Sequence, residues 1–449
     1  MERSEFITRL FALAAPRGGS AEVCYETDRA FEAQVKEGQI VHYNVSESGG
    51  LGFRVLKDGH TGGASTQILD GEALTQLVDS AYENAALMES EDPRFMYAGD
   101  PEYPVLDLYN PAVDALTAAR KIDMAKELER LTLSLDPRVR QVEDCAIFST
   151  SGERIMKNTL GLDVSTRSAV LGGYVVAVAR EGGKVNTGMK VFVTMDPDKV
   201  DLKSVAGAAV KEAVDGLDGQ PVKSGKYRVL IRNTTAAALL STFSGIFSAD
   251  NAQKGLSRMK GREGQDVAAR CVTIFDDPHR PGSAASAPFD GEGVATKKKA
   301  VVEGGRLNTL LHNLKTANKQ GVPTTANGSR SSYAAGVGVA PTNFHFAPSD
   351  KSFEQMLEIT GDGLYITDLQ GMHAGANAIT GDFSLAAKGF MIEGGKITTP
   401  VSRVTLAGNF YKLLEDVEAV GSDLEFRTPG VSCFGSPCIL IKELSVAGV

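Results

Sequence analysis

Apolar residues at helical spacing open the chain. Phe6, Ile7, Leu10, Phe11 and Leu13 predict a helix over residues 3–15, with Ser4 as its cap. The period then drops to two. Val23 and Tyr25, then Phe31, Ala33 and Val35, alternate with charged or polar neighbours; Glu37-Gly38 reads as a turn and 40–45 as the next strand. Gly52, Phe53 and Val55 run into Asp58-Gly59, a two-residue hairpin signal. Leu74, Leu77, Val78 and Ala81 restore helical spacing over 70–88. A Pro- and Tyr-containing connector covers 93–111, and 112–133 is again helical.

The same layout then repeats. Residues 139–196 read as strands with turns at Ser151-Gly152, Gly161 and Glu181-Gly182-Gly183, and 203–216 read as a helix. Helix, antiparallel strands and helix thus occur twice before residue 220, as an internal duplication would give. Gly219-Gln220-Pro221 marks the best boundary. Beyond it, 227–231 is a strand feeding a helix over 234–249. The remainder is short strands and Gly-rich turns, interrupted by helical 352–358 and 409–415. The expectation is an α+β protein. Residues 1–220 form a mixed N-terminal domain of antiparallel strands and helices, in two similar halves, and 221–449 form a β-rich C-terminal domain.

Composition narrows the function. With 449 residues and 42% apolar side chains, a sizeable core is available. Lys and Arg number 47 against 56 Asp and Glu, a net charge of −9, which disfavours binding nucleic acid or anionic membranes through charge. The N-terminus alternates charged and apolar residues and lacks the apolar core of an export signal. The longest nearly apolar run, 169–179, is too short to span a bilayer. Five scattered cysteines form no disulfide framework and fit a reducing compartment. The expected location is cytoplasmic, with no membrane and no direct nucleic acid as partner.

Local chemistry is sparse. Gly336-Val337-Gly338 meets Pro341 where a third glycine of a dinucleotide fingerprint would stand, so it reads as a turn. Cys433 and Cys438 are not a C-x-x-C pair, and the six histidines are isolated. Lys297-Lys298-Lys299 reads as a solvated strand end. On residues alone, no active site emerges.

The C-terminal half carries a more specific pattern. Asn377-Ala378-Ile379-Thr380-Gly381-Asp382-Phe383-Ser384 leads to Gly389-Phe390-Met391-Ile392-Glu393-Gly394-Gly395-Lys396-Ile397, then Pro400-Val401 and Leu406-Ala407-Gly408-Asn409. Pro288-Phe289-Asp290-Gly291-Glu292-Gly293-Val294 precedes it, and Gly435-Ser436-Pro437-Cys438-Ile439-Leu440-Ile441 closes the chain's pattern. This succession resembles the signature of the TldD/PmbA family, described as modulators of DNA gyrase and as zinc-dependent peptidases. The likeness spans the chain in element order, with its specific blocks in 230–449.

The resemblance divides the family by its zinc site. The catalytic branch carries an H-E-x-x-x-H helix and a later cysteine ligand. Here the matching helix reads Leu239-Leu240-Ser241-Thr242-Phe243-Ser244-Gly245-Ile246-Phe247, so Ser241 and Ile246 stand in place of the histidines and Thr242 in place of the glutamate. A hydroxyl and an isoleucine cannot replace imidazoles on zinc, and threonine cannot act as the base on a metal-bound water. Cys433, following Thr428-Pro429, lies about one residue from the family's cysteine ligand. No metal and no cofactor are therefore expected in this chain.

What the resemblance implies is the PmbA (TldE-like) branch: a metal-free subunit of a cytoplasmic TldD/TldE-type metalloprotease complex acting on peptides and unfolded small proteins. Its partners would be a TldD-like zinc peptidase subunit, which carries the zinc, a second copy of itself in a homodimer formed through the C-terminal domain, and peptide substrates. Candidate channel residues are His373, Gly375, Asn377, Thr380, Gly381, Asp382 and Cys433. Each also has a plain structural reading, as turn residue, surface histidine or buried thiol. Two other functions stay open: a hydrolase using Cys433 with a distant histidine such as His373, and a homodimeric regulatory binding protein linked to DNA gyrase.

Overall fold

A computed structural model describes residues 1–88, 95–427 and 430–449. The first helix, α1 (Arg3–Ala14), buries Phe6, Ile7, Leu10 and Ala14. Its cap position is Glu2, without a side-chain bond. Ser4 sits inside the first turn, where its carbonyl accepts from the Thr8 hydroxyl at 2.9 Å. Three strands follow, β1 (Ser20–Lys36), β2 (Gln39–Lys57) and β3 (His60–Thr66), then α2 (Gly71–Leu87), capped by Asp70. Both hairpin turns use left-handed backbone: Glu37 and Gly38 at φ 53° and 70°, Asp58 and Gly59 at 52° and 82°.

The expected helix over 112–133 is two helices, α3 (Pro111–Ala115) and α4 (Ala118–Ser134), because Thr117 takes extended backbone and caps the second through Arg120 N. Then come β4 (Val139–Asn158), β5 (Asp163–Glu181), β6 (Lys184–Thr194) and α5 (Leu202–Asp215). Ser151-Gly152 is no turn. It lies mid-strand in β4, with Ser151 opposite Arg29 on one side and Ala169 on the other. Glycine is required there by close approach, since a Cβ on Gly152 would stand 2.4 Å from the Thr27 carbonyl oxygen.

These six strands form one antiparallel sheet in the order β3-β2-β1-β4-β5-β6. The order is symmetric about the β1–β4 pair, and α1 and α2 pack on one half as α4 and α5 pack on the other.

The rest of the chain continues with β7 (Gly225–Ile231), α6 (Asn233–Phe243), α7 (Ala249–Gln253), β8 (Ile274–Asp276), β9 (Lys299–Glu303), β10 (Arg306–Leu307) and α8 (Leu314–Gln320). Next are β11 (Gly328–Ser329), β12 (Gly338–Val339), β13 (Asn343–Phe346), α9 (Phe353–Thr360), β14 (Gly363–Gln370) and α10 (Met372–Gly375). Last are β15 (Asp382–Glu393), β16 (Lys396–Asn409), α11 (Phe410–Glu415), β17 (Val417–Val420), β18 (Glu425–Phe426), β19 (Cys433–Ser436) and β20 (Ile439–Ala447). The expected helix over 234–249 breaks after Phe243 into a 3₁₀ turn and restarts as α7, capped by Ser248.

Two further six-stranded sheets result: β10-β9-β8-β13-β19-β18 and β16-β15-β14-β7-β20-β17. Because β16 also pairs β20, five strands of the second close on themselves. Between these sheets lies the largest core, anchored by Phe243, Phe247, Phe344, Phe346 and Phe410. The fold is mixed α+β with predominantly antiparallel sheets; only β14–β7 and β13–β19 pair parallel among the described strands. No helix among the described residues is long and apolar enough to cross a membrane.

One expectation about charge is corrected. Lys299 is not a solvated strand end: its ammonium lies 2.9 Å from the carboxylate of Asp276, which is wholly buried. Lys298 keeps an exposed side chain and pairs with Asp277.

Candidate functional site

The segment 239–247, read from the resemblance as the counterpart of the zinc helix, runs through α6 and the 3₁₀ turn after it. The Ala- and Leu-rich sequence of α6 buries nearly every side chain from Thr235 to Leu240, and Asn233 ties its start to the Asp423 carbonyl at 2.9 Å. Phe243 stacks on Phe410 with ring centroids 4.7 Å apart. Ile246 is fully sealed in the same core. Ser241 and Thr242 are half-buried. The Thr242 hydroxyl lies 2.9 Å from the Ala238 carbonyl oxygen and 3.1 Å from the Met372 sulfur. The three positions set against the family's zinc helix thus present a half-buried hydroxyl, a threonine turned onto its own helix and a core isoleucine. Zinc does not fit these side chains. Among the described residues no group of three or more His, Cys, Asp or Glu could hold a metal ion.

A cleft of about 300 Å³ opens beside the start of this helix, between β6, α5, β14 and β18. Its charges are matched: Arg232 with Glu212 at 3.2 Å, Lys190 with Glu425 at 2.5 Å, Lys388 with Asp368 at 3.8 Å. Arg427 also lines it, and burial pulls its guanidinium below its ordinary value despite the charge of Asp368. Such a surface offers donors and acceptors to a peptide main chain, but no general base beside a nucleophile.

A second cleft, about 440 Å³, separates the first sheet from the β-rich body. It is lined by residues 284–287, 326–331, 340–342 and 430–431, with Glu26, Arg154, Asp290 and Arg330 among the charged lining residues. Behind it sits a buried ionic cluster that reading the sequence did not single out. Arg330 donates to Glu22 at 2.7 Å and to the Gly291 carbonyl at 2.6 Å, and Arg54 reaches Glu22 at 3.0 Å. Asp290 accepts from the backbone of Glu292, Val294 and Gly328, and Glu292 accepts from Leu314 N at 2.7 Å. Burial raises both carboxyls, and the charge of Asp290 raises Glu292 further. At Asp276 burial acts the same way, but the Lys299 charge and hydrogen bonds from Asn327, Lys299 and Thr342 prevail and hold it below the ordinary carboxylate range. The signal was present, since Asp290 and Glu292 belong to the block Pro288–Val294.

The candidate channel residues fall elsewhere. His373 is exposed on α10, and Gly375 ends that helix. The Asn377 side-chain oxygen accepts from Ile379 N and Thr380 N at 3.0 and 3.1 Å, and the Asn409 amide donates to the Thr380 carbonyl and to Asp382 at 2.9 and 2.8 Å. These polar groups thus knit one turn, with Gly381 at φ 84° packed under Tyr411. Gly375 is also tightly placed, its would-be Cβ 2.4 Å from the Ser384 carbonyl oxygen. Cys433 is buried on β19, its Sγ 3.3 Å from the Arg427 carbonyl, and burial pushes its thiol up against the lowering charge of Arg280. Thr428 and Pro429, which precede it, lie outside the described residues. The structure brings Asn377, Thr380, Gly381 and Asp382 together, and places Cys433 on a different sheet.

Comparison with known proteins places the chain in a family. The profile of the PmbA/TldA metallopeptidase C-terminal domain matches residues 224–448, that of domain 1 matches 21–85, and that of the central domain matches 111–217. The metalloprotease PmbA of Escherichia coli O157:H7 is 27% identical over 99% of this chain and 96% of its own length. A PmbA homolog from Haemophilus influenzae is 26% identical over 97% and 94%. The structure of a proposed modulator of a DNA gyrase from Thermotoga maritima superposes with a TM-score of 0.92 and 34% identity, over 99% of this chain and 100% of the other. That of TldE from Thermococcus kodakarensis shares the fold at TM-score 0.90 and 22% identity, over 99% and 100%. With the three profiles matched in order and the fold shared end to end, the chain belongs to the PmbA/TldD family.

Proposed function

We propose that this chain is the non-catalytic, TldE-like subunit of a TldD/TldE-type metalloprotease complex that acts in the cytoplasm on peptides and unfolded small proteins. The observation that carries the reading is the state of α6 and the 3₁₀ turn after it, where Thr242 is bonded to its own helix and Ile246 is locked into the core. No ligand set and no base remain at the positions where the family's catalytic branch holds them. The chain's contribution is then to shape the path of substrate and to support a partner's zinc site, with the charge-matched cleft beside α6 offering main-chain contacts to an extended peptide.

The test is direct. The purified chain should bind no stoichiometric zinc and cleave no peptide, and cleavage should arise when a TldD-like chain is added. About one tight zinc per chain, or cleavage by the chain alone, overturns the assignment. A cysteine hydrolase is disfavoured on physical grounds. A raised, buried thiol bonded to a backbone carbonyl supplies little thiolate.

A further inference from the structure

The sheet β16-β15-β14-β7-β20-β17 has two faces, and only one is fully covered. Leu364 and Ile366 of β14 join the large core, and Tyr365 between them turns to the other side. On that outer face Tyr365 stands opposite Phe390 of β15, and Phe390 opposite Pro400 of β16. At one end α9 covers the face, its Met356 and Leu357 packing with Leu230, Ile392 and Leu440. At the other end α5 borders it with Ala208, Lys211 and Glu212. Between the two helices the cover stops, and a pocket of about 570 Å³ remains. That volume lies within the range of about 300–1,000 Å³ found for small-ligand sites. Phe353, Tyr365, Phe390 and Pro400 line it half-buried, and Ile397 at its rim is 40% exposed.

The polar groups of the pocket define its occupant. Lys211, Arg232 and Lys388 line it with Glu212 and Asp215, an excess of one cation. Lys211 pairs with Asp215 at 2.5 Å and Arg232 with Glu212 at 3.2 Å. Lys388 reaches only Asp368, at 3.8 Å, and that carboxylate lines the cleft beside α6 instead. The Lys388 ammonium is held in place by donating to the Thr187 carbonyl at 3.1 Å. Tyr365 packs its ring on Phe353, with centroids 5.2 Å apart, but its hydroxyl makes no hydrogen bond among the described residues. Burial raises its pKa against the lowering charge of Arg232, so the hydroxyl keeps its proton and is a donor at neutral pH. The pocket also continues the cleft beside α6, since Glu212, Arg232 and Thr367 line both.

We propose that this pocket receives the C-terminal residue of a peptide, its apolar side chain lying on Tyr365, Phe390 and Pro400 and its α-carboxylate meeting the Lys388 ammonium and the Tyr365 hydroxyl. The inference rests on the reading of this chain as a peptide-handling subunit and adds a preference to it. A carboxylate balances the extra cation and accepts from the idle hydroxyl. An apolar side chain removes the half-buried rings from water. An internal residue of a peptide would bring the side chain without the charge. The main chain before the bound residue then passes Arg232 into the cleft beside α6.

Calorimetric titration of the full chain with N-acetyl-dialanyl-phenylalanine tests this. The free acid should bind, and its C-terminal amide and the alanine-terminated acid should each bind about tenfold more weakly. Lys388→Met should weaken the acid to the level of the amide and leave the amide unchanged, with an unaltered thermal midpoint. Ala208→Trp, on an exposed position of α5, should block both ligands. Equal binding of acid and amide, equal binding of 3-phenylpropionate and the peptide, or no binding at millimolar peptide overturns the inference. None of these readouts needs zinc or a partner chain, so their failure leaves the subunit assignment in place. Zinc or cleavage in this chain alone would overturn that assignment and leave the binding result as it stands.

Discussion

Arg330 and Glu22 lie 308 residues apart in sequence and 2.7 Å apart in space, joining the β-rich body to the first sheet. The side chains keep only 6 and 1% of their surface in water, so neither charge can be solvated if its partner leaves. Arg330→Met should therefore destabilise the fold by on the order of 3–5 kcal/mol, the cost of an uncompensated buried charge. Chemical denaturation reads the loss. A change below about 1 kcal/mol would show that Arg54 alone suffices for Glu22.

The neighbouring acids set a pH dependence. Asp290 and Glu292 have folded-state values raised by burial, with the charge of Asp290 adding to the rise at Glu292. A raised acid favours the fold while protonated. Its contribution is full below the ordinary carboxylate range, near about 4, and is lost as pH climbs through the raised values toward neutrality. Glu292→Gln keeps an oxygen for Leu314 N and removes the charge. Between about pH 5 and pH 8, the denaturation midpoint of the variant should fall less than that of the wild type. Equal slopes would place the pH dependence elsewhere.

Thiol chemistry separates the cysteines. All five are unpaired, but Cys24, Cys145, Cys433 and Cys438 are buried and Cys271 is exposed. A thiol-reactive probe should titrate about one thiol in the native protein and all in denaturant, with Cys271→Ser abolishing the native signal. Fast native labelling of Cys433 would revive the hydrolase reading.

Much of the organisation was legible because its signals are local. Glu37-Gly38 and Asp58-Gly59 announced hairpins, and the repeated helix–strand–helix pattern became a sheet symmetric about β1 and β4. The errors share one cause. Gly152 signals a turn by letter, yet it is glycine because a distant strand presses on it. Lys299 looks solvated because its partner, Asp276, sits on another strand. Glu22 and Arg330 leave no periodicity at all, since each sits in an ordinary strand or loop context until the fold brings them together. The turn at 377–382 showed its residues but not their bonds, which are spent within the turn.

Those bonds decide how a role for the 371–384 region in guiding substrate can be tested. Glycine variants would confound the experiment. Gly381→Ala forces a side chain into left-handed backbone, at about 1–2 kcal/mol, and drives a Cβ to 2.6 Å from the Tyr411 ring, whereas Gly371→Ala, at φ 83° with open space around it, should cost only the backbone share. A thermal midpoint lower for Gly381→Ala than for Gly371→Ala checks that ranking. The side chains free to meet a peptide are His373 and Ile379, both exposed. His373→Ala and Ile379→Ser should leave folding and assembly with a TldD-like chain intact. If this turn borders the substrate path, peptide cleavage by the assembled complex should fall several-fold while metal content stays constant. If cleavage is unchanged, the turn serves only to brace β15 against β16, and the path runs instead along the charge-matched cleft beside α6, where Arg232→Ala should then be the variant that lowers activity.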